Sequence, residues 1–285
     1  MVKIVHLNQS DRSRYQEGIL ALEGGVEYPL GDDFFHLSHG EDYFRFFDRL
    51  GTVRYVVAIT EEEDTPGPQV VGAQCFILRR VPLFQSHSRT TPTWYSCDTK
   101  VHTDFRSSGT GAKLLGSSLG RTMLWNQLKF GAVLKGYGIS MNSTATSNRM
   151  RGHSRGFQRR LPGFNVDSKL LALYSLDYEQ MLEMAPLLTR YRGALSYLSL
   201  PGVKDIILKS TGSRLPLTHV QWGALADPAA VPSPMPGHVH MFCAVQGTPL
   251  WQAVENESGV SPSATATIYH IRMKSDFAFI LTSDI

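Results

Sequence analysis

The chain has 285 residues, 42% hydrophobic and 19% charged, with a net charge of +3 and a pI near 8.7. This is ordinary globular composition with material for a sizeable core, and so mild a basicity gives no argument for a nucleic-acid or membrane-surface protein. Cys75, Cys97 and Cys243 are far apart with no CxxC pair, which argues against a disulfide framework or a thiolate metal site. The start, MVKIVHLNQSDRSR, turns polar too soon for a signal peptide, and no run has the length of a membrane-spanning helix, so a soluble, cytoplasmic protein is expected.

In chain order, KIVHL reads as a strand, and Ser10 and Asp11 offer an N-cap to a helix over RYQEGILALEGG that stops at its glycines. In GDDFFHLSHGEDYFRFFDRLG the second half reads as helical and ends at Gly51. VRYVVAIT and QVVGAQCFILRRV form an expected hairpin around the acidic tip EEEDTPGP. The polar loop FQSHSRTTPT leads to the strand WYSCDTKVH, then DFRSSGTG and the helical run AKLLGSSLGRTMLW. YGISMN reads as a strand, SNRMRGHSRGFQRR as a helix capped by Ser147, and KLLALYSLD as another strand. Hairpin and crossover helices together predict an α+β domain with a mixed sheet over residues 1–178.

Beyond it, EQMLEMAPLLTRY reads as a helix ending near Arg192, VKDIILKS as strand or helix, and ADPAAVPSPMPG as a proline-rich loop. HVHMFCAV, SATATIYHIRM and FAFILTS are three strand candidates. Residues 179–285 form either an extension lending strands to the main sheet or a small second α+β unit, a diverged partial repeat among the options.

DFRSSGTG, residues 104–111, poses the functional question. A strand entering a helix through small residues presents unpaired N–H groups at the positive end of the helix dipole, which suits a phosphate. Gly109 and Gly111 flank Thr110, Ser107 and Ser108 add hydroxyls, and Arg106 adds a charge-assisted donor. A P-loop needs Gly-Lys-Ser/Thr, whereas Gly111-Ala112-Lys113-Leu114 lacks the hydroxyl; the Rossmann glycine offsets do not fit either.

The spacing that fits is Arg-x-x-Gly-x-Gly after a strand ending in Val-His. KVHTDFRSSGTGAKLL resembles the acyl-CoA-binding motif of the GNAT superfamily of N-acyltransferases. The resemblance implies a GNAT-like mixed, splayed sheet flanked by helices. It also implies that Arg106, Ser107, Ser108, Gly109, Thr110, Gly111 and Ala112 hold the pyrophosphate of acetyl-CoA. Thr99, Lys100 and Val101 would line the pantetheine slot. Asn148 and Gly163-Phe164 are partial echoes of a later family segment, and Asn148 is counted with the cofactor-binding residues.

Acyl transfer to an amine needs a base, oxyanion stabilisation and a proton for the thiolate. The resemblance implies the oxyanion is held by a backbone N–H near Thr99 to Val101. Alternation puts Tyr95, Cys97, Thr99 and Val101 on one face, with Asp98 on the other unless a bulge intervenes. Asp98 is the leading base because it is the strand's one carboxylate, although an edge-bonded structural Asp explains it as well. Tyr95 and Cys97 are the neighbouring catalytic candidates, Cys97 more readily as a core residue. The family's acid position is a tyrosine on the helix after Asn148, where this chain has Phe157; Tyr137, Tyr174 or His153 could substitute, or the thiolate could leave unassisted.

The basic helix RMRGHSRGFQRR is a solvated face, a contact for the 3′-phosphate of coenzyme A, or a dock for an acidic acyl carrier protein. The aromatics of residues 31–47 could line an acceptor pocket, with Asp32, Asp33, Glu41 and Asp42 attracting a cationic amine. His238 and His240 share a face, yet a third ligand is lacking, and no metal is expected. The expected activity is transfer of an acetyl or longer acyl group from coenzyme A to a primary amine or amino-acid-like acceptor, directly in a ternary complex. No nucleic-acid or membrane partner is expected, and the chain would act as a monomer or homodimer. A non-catalytic acyl-CoA-binding module and a carrier-protein-dependent acyltransferase are the alternatives.

Overall fold

Period-two alternation of apolar residues builds two layers on either side of one long sheet. In the computed structural model, residues 1–61, 67–82, 90–130, 135–142 and 166–285 are described, without the side chains of 122–130 and 166. The elements are β1 (Lys3–Leu7), α1 (Arg12–Gly24), β2 (Tyr28–Leu30), β3 (Asp33–Ser38), α2 (Tyr43–Asp48), β4 (Thr52–Thr60), β5 (Gln69–Pro82) and β6 (Thr90–Val101). After these come α3 (Thr110–Phe130), β7 (Gly136–Met141), β8 (Val166–Leu176), α4 (Tyr178–Arg192), β9 (Leu195–Leu198), β10 (Asp205–Leu208) and β11 (Arg214–Leu215). The chain finishes with β12 (Leu217–Trp222), β13 (Val239–Val245), α5 (Pro249–Ala253) and β14 (Ala264–Ile271).

Ten strands form one sheet in the order β1-β4-β5-β6-β7-β14-β8-β13-β12-β9, and β11-β10-β3-β2 form a second, smaller one. Pairing is antiparallel except for β6 with β7 and β12 with β13. The fold is thus mixed α+β, as the element order implies. Strands from beyond residue 178 pair onto the main sheet: β13 runs beside β8, and β14 sits between β7 and β8.

Alternation decides which layer each side chain joins. In β4, Val57 and Ile59 face the larger core while Val56 and Ala58 face α3 through Leu114. In β8, Leu171 and Leu173 join the larger core while Ala172, Tyr174 and Leu176 pack with Met181, Met184 and Leu188 of α4. The larger core is capped by α1 and by α2, whose Tyr43, Phe44, Phe46 and Phe47 are all buried. Each such ring removes enough apolar surface from water to contribute roughly 1.5–3 kcal/mol. Asp42 caps α2 by accepting from the Phe44 N–H, which fixes where this aromatic turn begins.

Three expectations change. The first half of GDDFFHLSHGEDYFRFF, to which sequence reading assigns no element, is the strand β3, and β6 begins at Thr90 instead of Trp94. FAFILTS is not a strand: Phe277 sits at φ 58, the Ile280 N–H turns back to the Phe277 carbonyl, and a short 3-10 turn covers Thr282–Asp284. Phe277, Phe279, Ile280 and Leu281 are nonetheless buried, and a short buried apolar run has no periodicity that separates strand from coil. The expected helix over 147–160, with Asn148, His153, Arg155, Phe157 and Arg159, lies outside the described residues, as do Gly163 and Phe164.

Candidate functional site

Two strand features open the site. β7 pairs with β6 only from Trp94 to Ser96, yet β6 continues to Val101 and β7 to Met141. From Cys97 onward the two parallel strands therefore part, and a slot opens in the sheet. They are close where they do pair: a Cβ on Gly138 would stand 3.0 Å from the Ser96 carbonyl oxygen. The second feature is a bulge. Cys97 faces Cys75 and Lys100 faces Ala73, so Asp98 and Thr99 together oppose Gln74. Asp98 takes φ 51, a left-handed conformation that costs energy and is held by its contacts.

The bulge reverses the facing of the strand residues after it. Strict alternation groups Val101 with Tyr95 and Cys97; instead Val101 packs toward the α3 side, and Asp98 and Lys100 turn into the larger core. Thr99 is exposed on the slot. Lys100 Nζ bonds Asp98 Oδ1 at 2.6 Å and Glu23 Oε1 at 2.9 Å. The Tyr43 hydroxyl donates to Asp98 Oδ2, and His39 bonds Glu23 through both its ring Nδ1 and its backbone N–H.

Electrostatics follow from this pairing. Burial alone would raise the Glu23 carboxyl, but the His39 bond and the Lys100 charge outweigh it and bring its pKa down to about 2. Burial likewise disfavours the Lys100 ammonium, and Asp98 and Glu23 more than reverse that, so its pKa is raised. Burial and then Asp98 push the Tyr43 phenol well up, leaving it a donor. Asp98 thus spends part of its acceptor capacity on Tyr43 and Lys100, out of about four lone-pair positions on a carboxylate.

At the outer mouth the loop residues are exposed. A short 3-10 turn, Thr103–Phe105, leads into a turn over Arg106 to Gly109, and α3 starts at Thr110. Arg106 Nε donates to the Val101 carbonyl at 3.0 Å, tying the loop back to the strand. Ser108 Oγ donates to the Phe105 carbonyl at 2.8 Å and sits 2.8 Å from Thr110 Oγ1; Ser107 is exposed. Gly109 has φ +77, a conformation that a side chain strains, and open space above it. The N–H groups of Thr110, Gly111 and Ala112 occupy the first turn of α3, where no intrahelical acceptor exists.

A cavity of about 700 Å³ joins these parts. It starts at Arg106, Gly111 and Ala112, passes between Asp98–Val101 and Gly138–Met141, and continues under Phe46 and Phe47 to Lys204 and His219 on the far half of the sheet. The sequence-predicted residues 98–101 and several from 106–112 therefore border one space, with Tyr95 and Cys97 in its wall. Tyr95 is buried, its hydroxyl donating to the Asp284 carbonyl at 2.8 Å, and its ring stacks on Tyr137. Burial, then Cys97 and Tyr137, raises its pKa. Tyr174 is elsewhere, bonded to Glu255 behind the sheet. His238 bonds Thr218, and His240 accepts from the Met235 N–H.

Sequence reasoning missed Glu23, His39, Lys204 and His219, and had Tyr43 only among the aromatics that could line an acceptor pocket. His39, Lys204 and His219 line the cavity, while Glu23 and Tyr43 bond Lys100 and Asp98 in its wall, and only tertiary packing brings them together. No group of His, Cys, Asp and Glu suited to a metal occurs among the described residues.

No family model matches the chain, and no curated protein matches it by sequence. Solved structures do resemble it. A tandem GNAT protein from the clavulanic acid biosynthesis pathway is 12% identical, with 95% of this chain and 98% of that one covered and a TM-score of 0.45. NAA60 from Arabidopsis thaliana, solved with a bisubstrate analogue, is 12% identical over 60% of this chain and 88% of its own, at a TM-score of 0.41. An aminoglycoside acetyltransferase from an uncultured soil metagenomic sample, in complex with trehalose, is 16% identical over 56% and 89%, at a TM-score of 0.34.

Proposed function

We propose that the chain is a GNAT-type N-acyltransferase that moves an acetyl or longer acyl group from coenzyme A to a primary amine. One observation carries this: the Arg-x-x-Gly-x-Gly loop opens directly into a slot between parted parallel strands, and the slot leads to a buried carboxylate. The first-turn N–H groups of α3 and Arg106 suit a pyrophosphate, and the unpaired edge of β6 from Cys97 to Val101 suits the amides of a pantetheine arm. Residues 1–178 supply this machinery, and the later strands extend the sheet to close the cavity.

In this scheme Asp98 takes the proton of the acceptor amine, directly or through water, while Tyr43 and Lys100 fix its orientation. A backbone N–H beside the bulge, near Thr99 to Val101, holds the tetrahedral oxyanion. The amine lone pair forms the new C–N bond as the carbonyl π pair moves onto oxygen, and the intermediate then collapses, re-forming the carbonyl and breaking the C–S bond. The sulfur keeps that electron pair and leaves as a thiolate, a tolerable leaving group without an acid.

Calorimetry with acetyl-CoA tests the binding part. Gly109→Val strains a left-handed turn and Gly111→Val places branches in the slot mouth, so both should lose at least tenfold in affinity. Unchanged affinity in both, with the fold intact by circular dichroism, contradicts the assignment. Thiol release across a panel of amines and amino acids tests turnover.

A second function has its own observation. Asp98 is already paired with Lys100 and bonded to Tyr43, as a purely structural carboxylate would be. Acetyl-CoA binding without turnover on any acceptor would favour a non-catalytic acyl-CoA-binding module.

A further inference from the structure

Two of the cysteines meet across the sheet. β5 and β6 pair antiparallel, and Cys75 stands directly opposite Cys97 in their register. Residues so opposed share one face, and both side chains belong to the larger core. Directly opposed residues of antiparallel strands have Cα atoms about 4.5 or 5.5 Å apart, within the span of about 4.4–6.8 Å that a disulfide needs. Both thiols are free, while Cys243, on β13, donates to the Ile280 carbonyl.

The two sulfurs are not equivalent. Cys97 is 6% exposed and lies in the cavity wall, whereas Cys75 is 0% exposed and touches the Tyr43 hydroxyl at 3.8 Å. Burial first, then the adjoining Cys97 thiol, push the Cys75 thiol well up, so Cys75 stays protonated. A small reagent in the cavity therefore meets Cys97 first. Cys97 is also the last residue of β6 before the bulge at Asp98 and Thr99, the point from which the slot opens.

We propose that Cys75 and Cys97 are a redox-active dithiol, which a small peroxide closes to a cross-strand disulfide at the base of the slot. The Cys97 sulfur attacks one peroxide oxygen and the O–O bond breaks. The sulfur becomes a sulfenic acid, and the other oxygen leaves with the thiol proton as water. The Cys75 sulfur then attacks the Cys97 sulfur. The S–S bond forms, the S–O bond breaks, and the hydroxyl leaves with the Cys75 proton as a second water. The two thiols supply the electron pair that reduces the peroxide, and a dithiol reductant reverses the link by exchange. The closed form ties β5 to β6 one residue ahead of the bulge. None of this requires acyl-CoA or an acceptor, so the dithiol stands apart from acyl transfer.

The test treats the folded full chain with hydrogen peroxide, quenches with catalase, blocks the remaining thiols under denaturing conditions, and reads the intact mass and the peptide map. The expected product has lost two hydrogens, is blocked only at Cys243, and gives a peptide linking Cys75 to Cys97 that dithiothreitol separates. Cys75→Ser should hold Cys97 as a sulfenic acid that dimedone labels. In Cys97→Ser the sealed Cys75 should oxidise about tenfold more slowly than Cys97 does in the unaltered protein. If a variant does not fold, the map of the unaltered protein decides alone. Intact thiols at both positions after peroxide, oxygen added at Cys97 without a link to Cys75, or a link through Cys243 overturns the proposal. Acetyl-CoA titrated into the reduced protein reports on the loop independently, so loss of one finding leaves the other readable.

Discussion

Replacing Lys100 with methionine probes the charge network that sets the bulge. Lys100 is 4% exposed, and its ammonium bridges Asp98 at 2.6 Å and Glu23 at 2.9 Å. Methionine preserves much of the volume but leaves two buried carboxylates facing each other. Breaking a buried pair this way costs about 3–5 kcal/mol, a large part of a typical stability of about 5–15 kcal/mol. Urea melts followed by tryptophan fluorescence would read this, since Trp94 lines the cavity. The triple variant E23Q/D98N/K100M, which removes all three charges, should recover at least half of the loss. Acid supplies an internal check. Glu23 has its folded pKa lowered to about 2 from 4.5, so its contribution is fully present above pH 4.5 and is lost as pH falls through 2. That shift corresponds to about 3 kcal/mol. Without Lys100 the shift shrinks, so the stability gap between the two proteins should narrow below pH 4.5. A variant within about 1 kcal/mol of the parent at pH 7, or a gap constant from pH 7 to pH 3, would refute the network.

Lys204 predicts a pH trend of the same sign in a higher window. Burial and Arg49 lower its pKa to about 7 from 10.5, so the unfolded chain binds the extra proton and stability should rise between pH 7 and 10.5, by up to about 5 kcal/mol. Lys204→Met should flatten that rise in melts run across this range. Leu114 is 0% exposed between Val56, Ala58 and Val71, and Leu114→Ala should cost about 2–5 kcal/mol by denaturant melts while leaving the buried Lys100 network in place. Gly138→Ala sets a Cβ 3.0 Å from the Ser96 carbonyl oxygen and should cost about 1–3 kcal/mol as β7 is pushed from β6, read as a lowered Tm.

How much of this was legible depends on the range of the physics involved. The loop from Arg106 to Gly111 announces itself because its chemistry is local: a turn, a left-handed glycine and a helix start within one short stretch. The strands β4, β5, β6 and β8 are legible for the same reason, through alternation and turn residues. Asp98 is legible as a carboxylate but not in its direction, which depends on a two-against-one register with Gln74 that no single strand reveals. Glu23, His39 and Lys100 meet across 77 residues, and His219 finds Thr282 across 63; nothing near any of them in sequence marks the meeting. FAFILTS misled because a buried coil and a buried strand require the same apolar residues. The position of β14 between β7 and β8 is a question of topology, where several arrangements satisfy one hydrophobic pattern.

A crystal structure of the protein soaked with acetyl-CoA is the most direct test of acyl-CoA chemistry. The pyrophosphate should sit on the N–H groups of Thr110 to Ala112 beside Arg106, the pantetheine arm should run along the free edge of β6, and the thioester should lie in the slot near Asp98. Density for the cofactor anywhere else, or an empty slot at saturating acetyl-CoA, would contradict it.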